Sequence, residues 1–167
     1  MPLPVTPRGS FARPLAALVY LVAASTKFQT LVSAASADAA LDWIHWPHAP
    51  DAAPVRPRAI VQPPGMVEVA GLGTGTWKMI GDAWLSFEFL PFSDPPDDKT
   101  DIIEFMSQFG EILDEMMEIS RANLASPAGT ETYLNVRNYR SVEGPATSIP
   151  SEEDGVLFYG VTLAIFW

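Results

Sequence analysis

The sequence predicts an α+β domain, an antiparallel (mixed) sheet of about five strands, with an N-terminal helical segment and one long acidic helix packed on one face. Three observations carry this. Apolar residues between 15 and 46 recur at helical spacing, five later segments read as strands, and Asp97 to Ile119 carries the clearest amphipathic stripe in the chain. With 167 residues, 48% of them apolar, the length fits a single domain spanning 1–167 with one moderate core, flanked by a Pro-rich arm at 1–13 and crossed by a Pro-rich connector at 47–64.

The first helix is predicted to begin at Pro14, a residue suited to a first helical turn, and to place Leu15, Leu18, Val19 and Val22 on one face. The same region has a second reading. Arg8 and Arg13 precede the apolar run Leu15–Ala24, and Val22-Ala23-Ala24 before Ser25 has the small-residue character of an export cleavage site. A buried helix is the preferred assignment. Ser25 is then placed to cap a short helix carrying Phe28, Leu31 and Val32, and Ser36 to cap another carrying Ala40, Leu41 and Trp43.

Six prolines lie between Pro47 and Pro64, so this stretch is expected as extended surface chain, with Arg58–Gln62 as an edge strand inside it. Met66–Ala70 is the next strand. Gly71-Leu72-Gly73-Thr74-Gly75 follows it as a hairpin loop, because no helix-opening G-x-G-x-x-G and no Lys-Ser/Thr pair is present to cradle phosphate. From Ala83 to Phe92 the alternation of Leu85, Phe87 and Phe89 against Ser86 and Glu88 predicts a half-buried antiparallel strand.

Ser93–Asp98 breaks that strand and opens the long helix, whose first turn holds carboxylates where the helix dipole favours them. Ile102, Phe105, Met106, Phe109, Ile112, Leu113, Met116 and Met117 make its apolar stripe. Nine acidic residues between Asp94 and Glu118 stand against one lysine. Neither EF-hand spacing nor a glycosidase-like carboxylate pair in an aromatic cleft is visible, so a solvated helix face is preferred over a cation site or an acid/base pair.

Thr132–Val142 is the next predicted strand. Val156–Trp167 is the last, with Leu157, Tyr159, Val161, Leu163, Ile165 and Trp167 on one face and Val156, Phe158, Ala164 and Phe166 on much of the other. Such two-sided apolarity fits either a central strand buried on both faces or a subunit interface, and the pattern leaves both open. Phe158, Tyr159, Phe166 and Trp167 are the candidate interface residues on this strand. Arg137 and Arg140, interleaved with Tyr133 and Tyr139, are candidates for contact with a carboxylate-rich partner surface.

Composition excludes several classes. With no cysteine there is no disulfide framework, thiolate metal site or cysteine nucleophile. The net charge of −10 opposes tight binding to nucleic acid or anionic membranes, and no run of about 18 apolar residues exists to span a bilayer. His45 and His48 are separated by Pro47 and imply no third ligand, and no nucleophile elbow or metalloprotease motif occurs, so no catalytic, metal or cofactor residues are expected.

Four segments taken together, Phe28-Gln29-Thr30-Leu31-Val32, Trp84-Leu85-Ser86-Phe87-Glu88-Phe89, the acidic helix Asp97 to Ile119 and the closing Phe158–Trp167, resemble the tail terminator (tail-completion) proteins of long-tailed phages. The resemblance lies in the arrangement, spans the chain from about residue 12, and is shared with other head-to-tail joining proteins. It implies a non-enzymatic virion protein assembled in the host cytoplasm. Such a protein forms a ring, typically a hexamer, that caps the tail tube, meets the head connector proteins and lets DNA pass without specific binding. Glu111, Asp114, Glu115 and Glu118 are then candidates for a channel-facing acidic surface that repels phosphate. The alternatives are a head-completion or connector protein of the same neck, an exported small binding module processed near Ser25, and a small hydrolase using the acidic helix. The proline-rich arm and connector depart from the family pattern.

Overall fold

A computed structural model describes residues 9–46, 56–62, 67–71, 77–93, 97–125, 135–141 and 157–166. The fold is α+β. In chain order, helices α1 (Gly9–Ala24), α2 (Thr26–Leu31) and α3 (Ala37–Ala40) lead through a 3-10 turn (Leu41–Trp43) into β1 (Ile44–His45). Strands β2 (Arg58–Val61), β3 (Val67–Gly71) and β4 (Trp77–Phe89) come next, then α4 (Asp98–Ala125), β5 (Asn135–Ser141) and β6 (Leu157–Phe166).

The N-terminal helices follow local chemistry closely. Ser25 is extended at φ −62° and ψ 120°, and its Oγ accepts the Phe28 N–H at 3.1 Å, which caps α2. Ser36 does the same for α3 through the Ala39 N–H at 3.2 Å. Helix α2 ends without glycine: Ser33 takes the left-handed conformation at φ 54°, while the Ala34 N–H reaches the Gln29 carbonyl and the Ser33 N–H the Thr30 carbonyl. That is a Schellman closure built on a serine. Helix α1 differs from expectation, starting at Gly9 with Pro14 inside it rather than at Pro14. The proline lies near enough to the start that it forfeits only the bond to the Ser10 carbonyl.

The sheet has six strands, of which β1, β2, β4 and β6 carry described side chains. Its order is β1-β2-β4-β6-β5, with β3 pairing the first half of β4. It is mixed, because β1 runs parallel to β2 while every other pair is antiparallel. The strand expected at an edge, β2, is therefore internal. The two-residue β1, which periodicity cannot register at that length, covers it. Strand β4 is longer than expected, beginning at Trp77, and pairs with three neighbours. Gly71 pairs with Trp77, so β3 and β4 form the hairpin expected around the glycine-rich segment, whose residues 72–76 lie outside the described set.

One sheet face carries the core. Ala59, Val61, Ala83, Leu85, Phe87, Phe89, Val161 and Leu163 are at most 1% exposed and pack against Leu18 and Val22 of α1, Phe28 of α2 and Phe105, Phe109, Ile112 and Met116 of α4. Phe87 is at the centre, with ring centroids 5.8 Å from Phe28 and 5.5 Å from Phe109, and Phe89 meets Phe105 edge-on at 4.5 Å. The face opposite the helices is buried as well in its middle, which corrects the half-buried expectation for β4. Ser86 and Glu88 are 1% and 9% exposed. Glu88 accepts from Arg58 Nε at 2.8 Å and Nη2 at 3.2 Å and from Arg56 Nε at 2.8 Å, and the Trp84 ring lies so close over Gly160 that a Cβ there would come within 2.2 Å of it. Long side chains lying flat across the sheet do the covering that alternation alone does not predict.

Helix α4 begins after Asp97, whose carboxylate accepts from both the backbone N–H and the hydroxyl of Thr100, and runs past the expected end at Ile119 to Ala125. Met106 falls off the buried stripe at 40% exposed, beside Ile103 at 68%.

Candidate functional site

Helices α2 and α4 meet through a carboxylate. Glu115 accepts the Ser25 hydroxyl at 2.6 Å, the Thr26 hydroxyl at 2.6 Å and the Lys27 backbone N–H at 3.0 Å, so it completes the cap of α2 from across the molecule. Burial pushes this carboxyl up, but the Lys27, Ser25 and Thr26 bonds outweigh it and hold it at about 2 against an ordinary 4.5. One turn earlier on α4, Glu111 pairs with Lys27 Nζ at 2.8 Å, an exposed bridge whose hydrogen bond and charge raise the lysine.

Next to this junction lies an open groove of about 490 Å³ between the two helices and the turn after β4. Its walls include Lys27 and Leu31 from α2, Glu104, Gln108 and Glu111 from α4, and Phe92 from the turn. Phe92 is 38% exposed, its ring tilted against Phe89 of the core at a centroid distance of 5.8 Å. Its placement is fixed by Asp101, only 3% exposed, whose carboxylate accepts from the N–H groups of Phe92, Ser93 and Asp97 and from the Ser93 hydroxyl at 2.8–3.0 Å. Burial pushes the Asp101 carboxyl up, and these bonds more than reverse it, holding it below the usual carboxylate range. These bonds tie down the backbone of the turn that carries the partly exposed ring.

Within the groove Glu104 accepts the Gln108 side-chain amide at 2.7 Å, and Glu111 is bridged to Lys27. Both carboxylates thus have local partners. Among the described residues no three His, Asp or Glu side chains gather into a metal site, and no helix is long and apolar enough to cross a membrane.

The chain matches no family model, no curated protein and no solved structure. The site therefore rests on its own geometry.

The residues singled out from sequence scatter. Of the four acids considered for a channel surface, Glu111, Asp114 and Glu118 are exposed on α4, whereas Glu115 turns to α2 and belongs to the fold. On β6, register places Phe158 opposite Glu88 and Tyr159 opposite Phe87, a core residue, so these two candidates do not share one surface. Phe166 pairs with both Ile80 and Asn135 near the strand end, and Trp167 lies outside the described residues. Within the sheet β6 lies between β4 and β5, with Val161 and Leu163 buried on the core face. Arg137 and Arg140 occupy the two register breaks of β5, between Val136 and Asn138 and between Tyr139 and Ser141. Bulges at arginine on an edge strand discourage strand-to-strand extension there. His45 is in β1, in register with Ile60, while His48 lies outside the described residues.

Sequence reasoning missed the groove. Alternation places Phe92 at the end of a strand, and by charge Asp101 is one acid among nine. The signal was present as Ser93 and Asp97 with a carboxylate four residues after the latter, a pattern able to knot a helix start onto the preceding turn.

Proposed function

We propose that the chain is a structural virion protein, a tail terminator that forms a ring closing the tail tube and joining it to the head connector. The observation that carries the reading is the order of elements: short capped helices, a long hairpin, one long acidic helix, and a closing strand that returns beside the hairpin. A ring needs two different surfaces on each copy that meet head to tail. In this ring Asp114 and Glu118 supply negative surface toward the bore, which keeps DNA mobile by repelling its phosphates.

Light scattering and negative-stain microscopy of the purified chain, alone and with the tail-tube protein encoded by the same genome, test the proposal. Rings alone or caps on tube ends are the expected result. A monomer that leaves tubes uncapped overturns the reading, and a ring that caps only the head connector replaces it with the head-completion role. A ring with α4 on its outer wall removes the role given to Asp114 and Glu118.

A further inference from the structure

We infer that the groove between α2 and α4 is a docking site for a cationic amphipathic segment of a partner protein, an apolar anchor side chain flanked by Lys or Arg. This does not rest on the ring, because every residue it uses belongs to one copy.

Shape comes first. The groove encloses about 490 Å³, room for two or three large side chains, and is neither flat surface nor closed cavity. Its apolar part is formed by Leu31, Phe92 and Ile112. Phe92 stands out because an aromatic ring is left partly exposed in the turn after β4 while its backbone is bound to a buried carboxylate. With the backbone of this turn already ordered, a partner that covers the ring has only the side chain left to order, which lowers the cost of contact.

Charge then selects the occupant. Glu104 and Glu111 line the groove and Glu118 continues the exposed acidic row along α4, while the one cation in the lining, Lys27, is already bridged to Glu111. The whole chain is at −10, so a second copy brings repulsion to this face, as does an anionic lipid surface. A basic segment brings attraction, and Thr30, Ser107 and Gln108 along the same walls offer hydrogen-bond partners for it.

The probe is a short synthetic amphipathic peptide of leucine and lysine, fluorescently labelled and titrated with the full chain, beside a leucine–glutamate peptide of the same pattern. Saturable binding of the lysine peptide alone is expected, weakened at high salt. Phe92→Ser and Glu104→Lys should each weaken it at least about tenfold, and Glu118→Lys, on the same helix but outside the groove, less than about threefold. Circular dichroism and melting of each variant establish that the fold is kept, and amide exchange of residues 101–112 with and without peptide provides a second readout independent of substitution. Equal losses for Glu104→Lys and Glu118→Lys would reduce the effect to general charge attraction and overturn the proposal. So would binding indifferent to Phe92→Ser, absence of protection on α4, binding of neutral vesicles in place of the peptide, or a Phe92-dependent dimer of the chain itself.

Discussion

The Glu115 carboxylate stands 2.6 Å from the Ser25 hydroxyl, although 90 residues separate them in the chain. Ser25 at the same time accepts the Phe28 N–H. One serine thus caps its own helix and donates a hydrogen bond to a carboxylate of a second, so the short α2 is stabilised by a residue that no local rule assigns to it.

The first prediction follows from that contact. Glu115 titrates at about 2 in the fold and near 4.5 when free, so its ionised form stabilises the folded state fully above about pH 5, and this contribution is lost as pH falls toward 2. Glu115→Gln should flatten the dependence of stability on pH across that window. Glu115→Ala, which strands the Ser25 hydroxyl and Lys27 N–H, should cost about 2 kcal/mol at neutral pH in urea titrations.

The approach of Trp84 to Gly160 gives a second. A methyl at Gly160 would meet the ring at 2.2 Å, so Gly160→Ala should destabilise by about 1–3 kcal/mol. In a Trp84→Ala background the same change should cost far less. A double-mutant cycle by thermal melting measures the coupling, and additive single effects would show that the two residues do not compete for the same space.

Glu88 offers a third, because two guanidinium groups converge on it where it is 9% exposed. Glu88→Gln leaves positive charge facing positive charge on the covered sheet face and should cost about 3 kcal/mol or more. Replacing Glu88 and Arg58 together by methionine should recover much of the loss, since packing then replaces a pair that was costly to desolvate. Chemical denaturation of the two variants beside the unaltered chain distinguishes these outcomes.

Ser33 is predicted to be improvable. It holds φ 54° to close α2, a conformation that glycine adopts without the Cβ penalty. Ser33→Gly should raise stability by about 0.5–1 kcal/mol, read as an upward shift in melting temperature, whereas Ser33→Val should lower it.

Asp101 supplies the last. Asp101→Ala frees the N–H groups of Phe92 and Ser93, while the Asp97 N–H keeps the Ser93 hydroxyl at 2.7 Å, so amide exchange at Phe92 and Ser93 should accelerate well beyond that of the α4 interior. Lowering the pH should reproduce part of the effect in the unaltered chain, at a pH below the usual carboxylate range, because the bonds that hold the turn also depress this carboxyl.

What the sequence by itself determined is local. Serine caps at 25 and 36, the helix following Asp97 and the β4 core face of Leu85, Phe87 and Phe89 are all written in short-range chemistry, since a cap or a period needs only neighbours within a few residues. From these the α+β class followed. Tertiary structure alone decided that β2 is internal, that the second face of β4 is covered, that Glu115 serves α2 and that Phe92 stands over a groove. Each of these depends on which distant residue arrives beside a given one: a two-residue β1, two arginines and a tryptophan lying across the sheet, an α2 terminus, a carboxylate one turn into the next helix. Periodicity records which face of an element is apolar. It carries no record of what another element brings to the polar face, and there the charge pairs, the tethered turn and the groove are formed.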